Sequence, residues 1–119
     1  MGLENLRTVD AIGIEKTEST VTMTIFDAWD WIDERAHLVA LQGKINSYFD
    51  FVQSGQIYES YPKASGKSIH INLMTQFPIP KLGLDLLSKA TSEARKLNIT
   101  IAHQLYSGEH NDVLSISSK

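Results

Sequence analysis

The chain contains no cysteine, which excludes disulfides, thiolate nucleophiles and sulfur-ligated metals and suits a reducing compartment. Prolines number only three, and no Pro/Gly/Ser-rich stretch is long enough for a linker. A length of 119 residues fits one domain and is short for two. Long apolar runs are missing as well. The start, Met1-Gly2-Leu3-Glu4-Asn5-Leu6-Arg7, carries charges early and has no apolar run before Val9, so neither a secretory signal nor a membrane span is expected. Gly2 does not open an acylation signal, because Leu6 stands where Ser or Thr is wanted. The Asn98-Ile99-Thr100 sequon is then idle. A basic excess is also lacking: 11 Lys and Arg stand against 14 Asp and Glu, and phosphate neutralisation needs a basic face. The expectation is a cytoplasmic protein that binds neither nucleic acid nor membrane.

What is present is a hydrophobic pattern that switches between periods of two and 3.6. Val9 to Glu15 reads as a strand, Lys16 to Ser19 as a turn, and Thr20 to Asp27 as a second strand with Val21, Met23 and Ile25 on one face and threonines on the other. From about Trp31, the stripe Leu38, Leu41, Ile45, Tyr48 or Phe49, and Val52 predicts a long helix. Asp30 or Asp33 would cap it, Glu34 would sit in its first turn, and Gly55 would follow its end. Gln56 to Tyr61 is a short strand candidate, and Ser68 to Gln76 alternates again, which suggests a second hairpin. Pro78-Ile79-Pro80 leads into a helix over Leu82 to Leu97, with Leu86, Leu87, Ala90, Ala94 and Leu97 inward. Ile99 to Leu105 is a last strand. The fold expected is α+β, a two-layer sandwich of order ββαββαβ with a mainly antiparallel five-stranded sheet and two helices on one face. Residues 1–106 would form that domain, and 107–119 a polar tail, frayed or adding an edge strand.

Tempting motifs fail on inspection. Gly66-Lys67-Ser68 resembles the end of a phosphate loop, but Tyr61 occupies the place of the first glycine and a strand follows where a helix is needed. His70 points away from the core by parity, whereas His103 shares parity with Ile99 and Ile101 and points inward, so the two do not share a face. His37 has no partner in a zinc-helix pattern, and His110 lies in the tail. The acids Asp27, Asp30, Asp33 and Glu34 form the densest cluster of one charge, with helix capping as the simplest reading. Trp29 and Trp31 flank Asp30; either one indole is exposed as an interface signal or both cover the open end of the sandwich. No nucleophile arrangement is found.

Several segments together are similar to a known group of proteins: Val9-Asp10-Ala11-Ile12-Gly13-Ile14, Trp31 with Glu34 and His37-Leu38, Leu41-Gln42 with Lys44-Ile45-Asn46 and Tyr48, then Ser54-Gly55 and Tyr61-Pro62. They resemble a family of small bacterial proteins catalogued only as a domain of unknown function. The resemblance covers roughly the first two-thirds. It implies a bacterial cytoplasmic protein of one domain and carries over no catalytic residue.

The functional expectation is therefore a non-enzymatic binding or accessory protein without a cofactor, acting through protein–protein contact. Its candidate partner surface is Trp29, Asp30, Trp31, Asp33 and Glu34. Small acidic domains can serve as antitoxin-like or immunity partners, with carboxylates meeting a basic effector. The rival is a small-ligand binder or enzyme with a site between sheet and helices, lined by Tyr58, Asn72, His103 and Tyr106. Homodimerisation through an edge strand or the sheet face carrying His70, Asn72 and Met74 is a third reading.

Overall fold

The structure is a computed structural model that describes residues 2–4, 9–14 and 19–106. Within them the chain forms four strands, β1 (Ala11–Ile14), β2 (Thr20–Asp27), β3 (Ser68–Thr75) and β4 (Ile99–Leu105), with helices α1 (Glu34–Gln53), α2 (Gln56–Ser60) and α3 (Lys81–Lys96) and a single 3₁₀ turn at Pro62–Ala64. The fold is α+β. The turn at 16–18 and the tail from 107 lie outside the described residues.

The sheet corrects the expected topology. Its order is β1-β2-β3-β4. Only β1 and β2 are antiparallel; β2 with β3 and β3 with β4 are parallel. Four strands of mixed direction thus replace five mainly antiparallel ones among the described residues. The cause lies in Gln56 to Tyr61, expected as a strand and found as the helical turn α2. Gly55, at φ 83°, ends α1 in the left-handed conformation, and α2 buries only Ile57. Without a strand there, no second hairpin forms. A 20-residue helix runs about 30 Å, close to the length of an eight-residue strand at about 26 Å. It returns the chain to the end where β2 began, and β3 must then run parallel. The loop from β3 through α3 repeats the operation.

The helix registers follow the sequence closely. Asp33 caps α1, its Oδ1 accepting from the Ala36 amide at 3.1 Å. The buried stripe of α1 is Leu41, Ile45, Tyr48, Phe49 and Val52, together with His37 and Lys44. On α3 Leu87, Ala90 and Ala94 are buried, as is Gly83. Asn98, at φ 60°, turns the chain from α3 into β4, a conformation that asparagine tolerates. One sheet face is the core: Val21, Met23 and Ile25 of β2, Ile69, Ile71 and Leu73 of β3, and Ile99 of β4 are all buried.

The other face carries no helix among the described residues. In register across it run the rows Ala11–Thr24–Asn72–Ala102 and Gly13–Thr22–His70–Thr100. A further row, Phe26–Met74–Gln104, lies toward the carboxyl ends of the parallel strands. His70 points outward as its parity requires, and its Nδ1 pairs with Thr100 Oγ1 at 2.7 Å. His103 does not enter the core, contrary to expectation. It keeps inward parity but is exposed, because α3 covers the first half of β4 and then crosses toward Trp31, where Gly83 lies beside the indole.

Candidate functional site

The carboxyl ends of β2, β3 and β4 meet the amino ends of α1 and α3, the place where open α/β sheets present their ligand sites. The main-chain bonds of Gln76 N–H to Asp27 O at 2.9 Å and Tyr106 N–H to Thr75 O at 2.7 Å draw the three strand ends together. Asp27 has the same parity as Val21, Met23 and Ile25, so its carboxylate points into the core side and is buried. A carboxylate there needs a partner. His37, one turn before Leu41 on the apolar stripe of α1, supplies it: Nε2 lies 2.5 Å from Asp27 Oδ2, and both side chains are almost wholly enclosed.

The other ring nitrogen settles the proton count. His37 Nδ1 lies 2.9 Å from the Asp30 carbonyl oxygen, which can only accept, so Nδ1 carries a hydrogen. The Nε2–Oδ2 contact then requires a second proton between the two atoms. Desolvation raises the Asp27 carboxyl above its ordinary value, against the opposing influence of His37 and the Trp29 amide. Asp27 Oδ1 accepts from that amide at 3.1 Å. Around the imidazole, Trp31 stacks at 3.5 Å between centroids and 15° between planes, and Trp29 lies tilted at 5.6 Å. Both indoles are half-buried, so they cover this end of the sandwich. Trp31 Nε1 is buried and has no hydrogen-bond partner among the described residues.

With both ring nitrogens committed and the ring faces shielded, His37 secures the β2–α1 connection. The remaining acids shape that connection locally. Asp30 Oδ1 accepts from the Ile32 amide at 3.1 Å, and Asp33 caps α1. No group of three or more metal-ligating side chains occurs among the described residues. The turn at Asp30 pushes Ile32 into solvent, 90% exposed. Leu82 and Leu84 on the first turn of α3, Phe77 after β3 and Leu105 at the end of β4 are exposed at the same end of the fold. The expected partner surface is thus brought together as Trp29, Asp30, Trp31, Asp33 and Glu34, but its apolar prominence is Ile32, with the tryptophans behind it.

The expected pocket liners are not brought together. Tyr58 is exposed on α2, Asn72 lies on the uncovered sheet face, His103 lies on the opposite side of β4, and Tyr106 packs its ring 6.4 Å from Phe26. A cleft of about 920 Å³ opens instead beside α1 and α2, lined by Asn46, Ser47, Asp50, Phe51 and Tyr61 among others.

A second buried network anchors the lateral side of the sheet. Asp10 Oδ1 accepts from Lys44 Nζ and from the Gly2 amide, each at 2.9 Å, and Oδ2 accepts from the Phe26 amide at 2.9 Å. The Tyr48 hydroxyl accepts from the Asp10 amide at 2.8 Å and donates to the Thr24 carbonyl at 2.7 Å. Burial above all holds this hydroxyl well over the ordinary phenol range. The segments Val9 to Ile14, Lys44 and Tyr48 that carry the family resemblance therefore meet in one hydrogen-bonded unit, and Trp31 with His37 form the other. The model of DUF6572, a family of unknown function, matches residues 1–107. The chain belongs to that family. No curated protein and no solved structure matches it. The match takes in both networks of this DUF6572 member and every described element. In the described part no helix is long and apolar enough to cross a membrane.

Sequence reading missed Asp27–His37 and Asp10–Lys44 as pairs. The signal was there in part: His37 and Lys44 occupy the 37, 41, 44/45, 48, 52 stripe, and Asp27 has core parity.

Proposed function

We propose that the chain is a bacterial cytoplasmic binding or accessory protein that acts through protein–protein contact at the carboxyl ends of its parallel strands. The observation that supports this reading is the nearly full exposure of Ile32 on a connection held from beneath by a buried Asp27–His37 pair. A large apolar side chain presented on an immobilised loop loses little conformational entropy on binding. Leu82, Leu84, Phe77 and Leu105 extend the apolar surface, and Asp30, Asp33 and Glu34 give it an acidic rim. Such a surface fits a partner with an apolar centre flanked by Lys or Arg, and the rim charges would speed encounter and make it salt-dependent.

The test is capture from native lysate with tagged full-length chain, compared with Ile32→Lys and with Leu82→Lys. A stoichiometric partner that is retained by wild type and weakened at least about tenfold by Ile32→Lys is expected, the size of effect of a central anchor. Equal capture by all three proteins would overturn the proposal. The second reading, a small-ligand binder, draws on the cleft beside α1 and α2. Thermal stabilisation by a metabolite that Ile32→Lys leaves intact and Asn46→Leu abolishes would favour it.

A further inference from the structure

The uncovered sheet face has a composition that an ordinary solvated surface does not have. Along its rows stand Thr, Asn, His, Gln, Ser, Ala, Gly, Phe and Met. Not one outward-facing position of β1–β4 is Asp, Glu, Lys or Arg. Charged residues make up 21% of the chain, and at that frequency a face this size would carry about three of them, with more expected on a solvated surface. Depletion of charge, and not bulk hydrophobicity, is what distinguishes the centre of a protein interface. Among the described residues the charges lie elsewhere: on the helices, in the connections between elements and in the two buried pairs.

We propose that this face is a homodimer interface, with the sheet of one protomer packed against the sheet of a second copy. A partner of opposite charge would find no charge to meet here. A second copy offers the same neutral, hydrogen-bonding surface, and a two-fold axis brings that one patch of both copies together, so no charge of either sign has to be matched. The relief of the face also fits. Phe26 and Met74, with Tyr106 beside Phe26, stand at one end of it, and Gly13 and Ala102 keep its margins low. Two faces related by a two-fold axis and crossing at an angle can therefore set each aromatic end over the low margin of the other, at the roughly 10 Å separation of stacked sheets.

β2 and β3 have eight residues each, about 26 Å in length, and four strands span about 14–19 Å, so the flat footprint is at most about 360–490 Å² on each protomer. That lies at the small end of specific interfaces, which usually bury about 800 Å² on each side. The dimer is accordingly reversible and concentration-dependent. It is independent of the Ile32 surface, which lies at the carboxyl ends of the strands and stays free in the dimer.

Sedimentation velocity of the full-length chain from about 1 to 300 µM tests the proposal, because a reversible dimer shifts with concentration by mass action. Wild type is expected to pass from monomer to dimer within that range. Thr22→Arg, at the centre of the face, and Ala102→Glu, at its exposed margin, should each raise the dissociation constant at least tenfold. Ile32→Lys should change nothing. Circular dichroism of each variant separates loss of the dimer from loss of the fold. A wild-type monomer at every concentration overturns the interface. So does a dimer that survives both folded variants, since the contact would then lie on another surface.

Discussion

Lys44 is a lysine with no exposed side-chain surface, enclosed on the apolar stripe of α1 and joined to an equally enclosed Asp10. Its Nζ also lies 5.7 Å from the centre of the Tyr48 ring, within the reach of a cation–π contact. Replacing such a pair by apolar groups can be neutral, whereas removing one member leaves a buried charge uncompensated at a cost of about 3–5 kcal/mol. Lys44→Ala should therefore lower the stability measured by urea unfolding by about that amount. Asp10→Asn combined with Lys44→Met should lose clearly less than the sum of the single changes, because the two side chains share one interaction. Additive losses would show that the pair does not act as a unit.

Asp27 supports a prediction of a different kind. Its carboxyl is raised in the native state, chiefly by desolvation, so the folded chain holds a proton that the unfolded chain releases near pH 3.8. The stability from this group is complete below that pH and is lost as pH rises through the raised native value. Asp27→Asn keeps an acceptor for the Trp29 amide and offers an N–H to His37 Nε2, but it does not titrate. Urea unfolding between about pH 3 and 8 should show wild type losing ground to the variant as pH increases. Parallel curves would remove the assignment.

At the scale of elements, the first turn of α3 is built around a missing side chain. A Cβ at Gly83 would lie 2.5 Å from Ile79 Cγ2 and 3.1 Å from Trp31 Cη2. Gly83→Ala gains about 1 kcal/mol of helix propensity, but overpacking of this kind costs about 1–3 kcal/mol. Ile79 is β-branched and cannot swing its methyl aside freely. A net loss of up to about 2 kcal/mol is expected, with a change in tryptophan emission because Trp31 must shift on His37. An unchanged spectrum with gained stability would place α3 farther from the indole. Both main helices and the strands at Thr20, Ser68 and Ile99 were legible, because their periodicities extend over many residues. Gln56 to Ser60 was not. Five residues with one buried apolar side chain fit a strand or a helical turn equally well, and the outcome rested on the left-handed turn at Gly55.

For the molecule as a whole, that one short element decided the topology: α2 in place of a strand turns a second hairpin into a parallel crossover. Strand direction depends on where a long connection ends in space, and alternation along a strand does not encode it. The candidate surface was legible as Trp29 to Glu34, since acids and aromatics gather visibly at the strand-to-helix junction. Its supporting pair was hidden because Asp27 and His37 stand ten residues apart on different elements. The prominence of Ile32 depends on the turn at Asp30, which spacing alone does not reveal.

The sheet has one more property, contained in its order. Strands lie side by side in the sequence in which they occur along the chain, and none is inserted between two earlier neighbours. Each strand after the first finds its template already laid down. As the polypeptide leaves the ribosome amino end first, at about 5–20 residues a second, the sheet can grow by simple accretion. No finished edge has to reopen for a latecomer, and β4 is the last of the described strands to join.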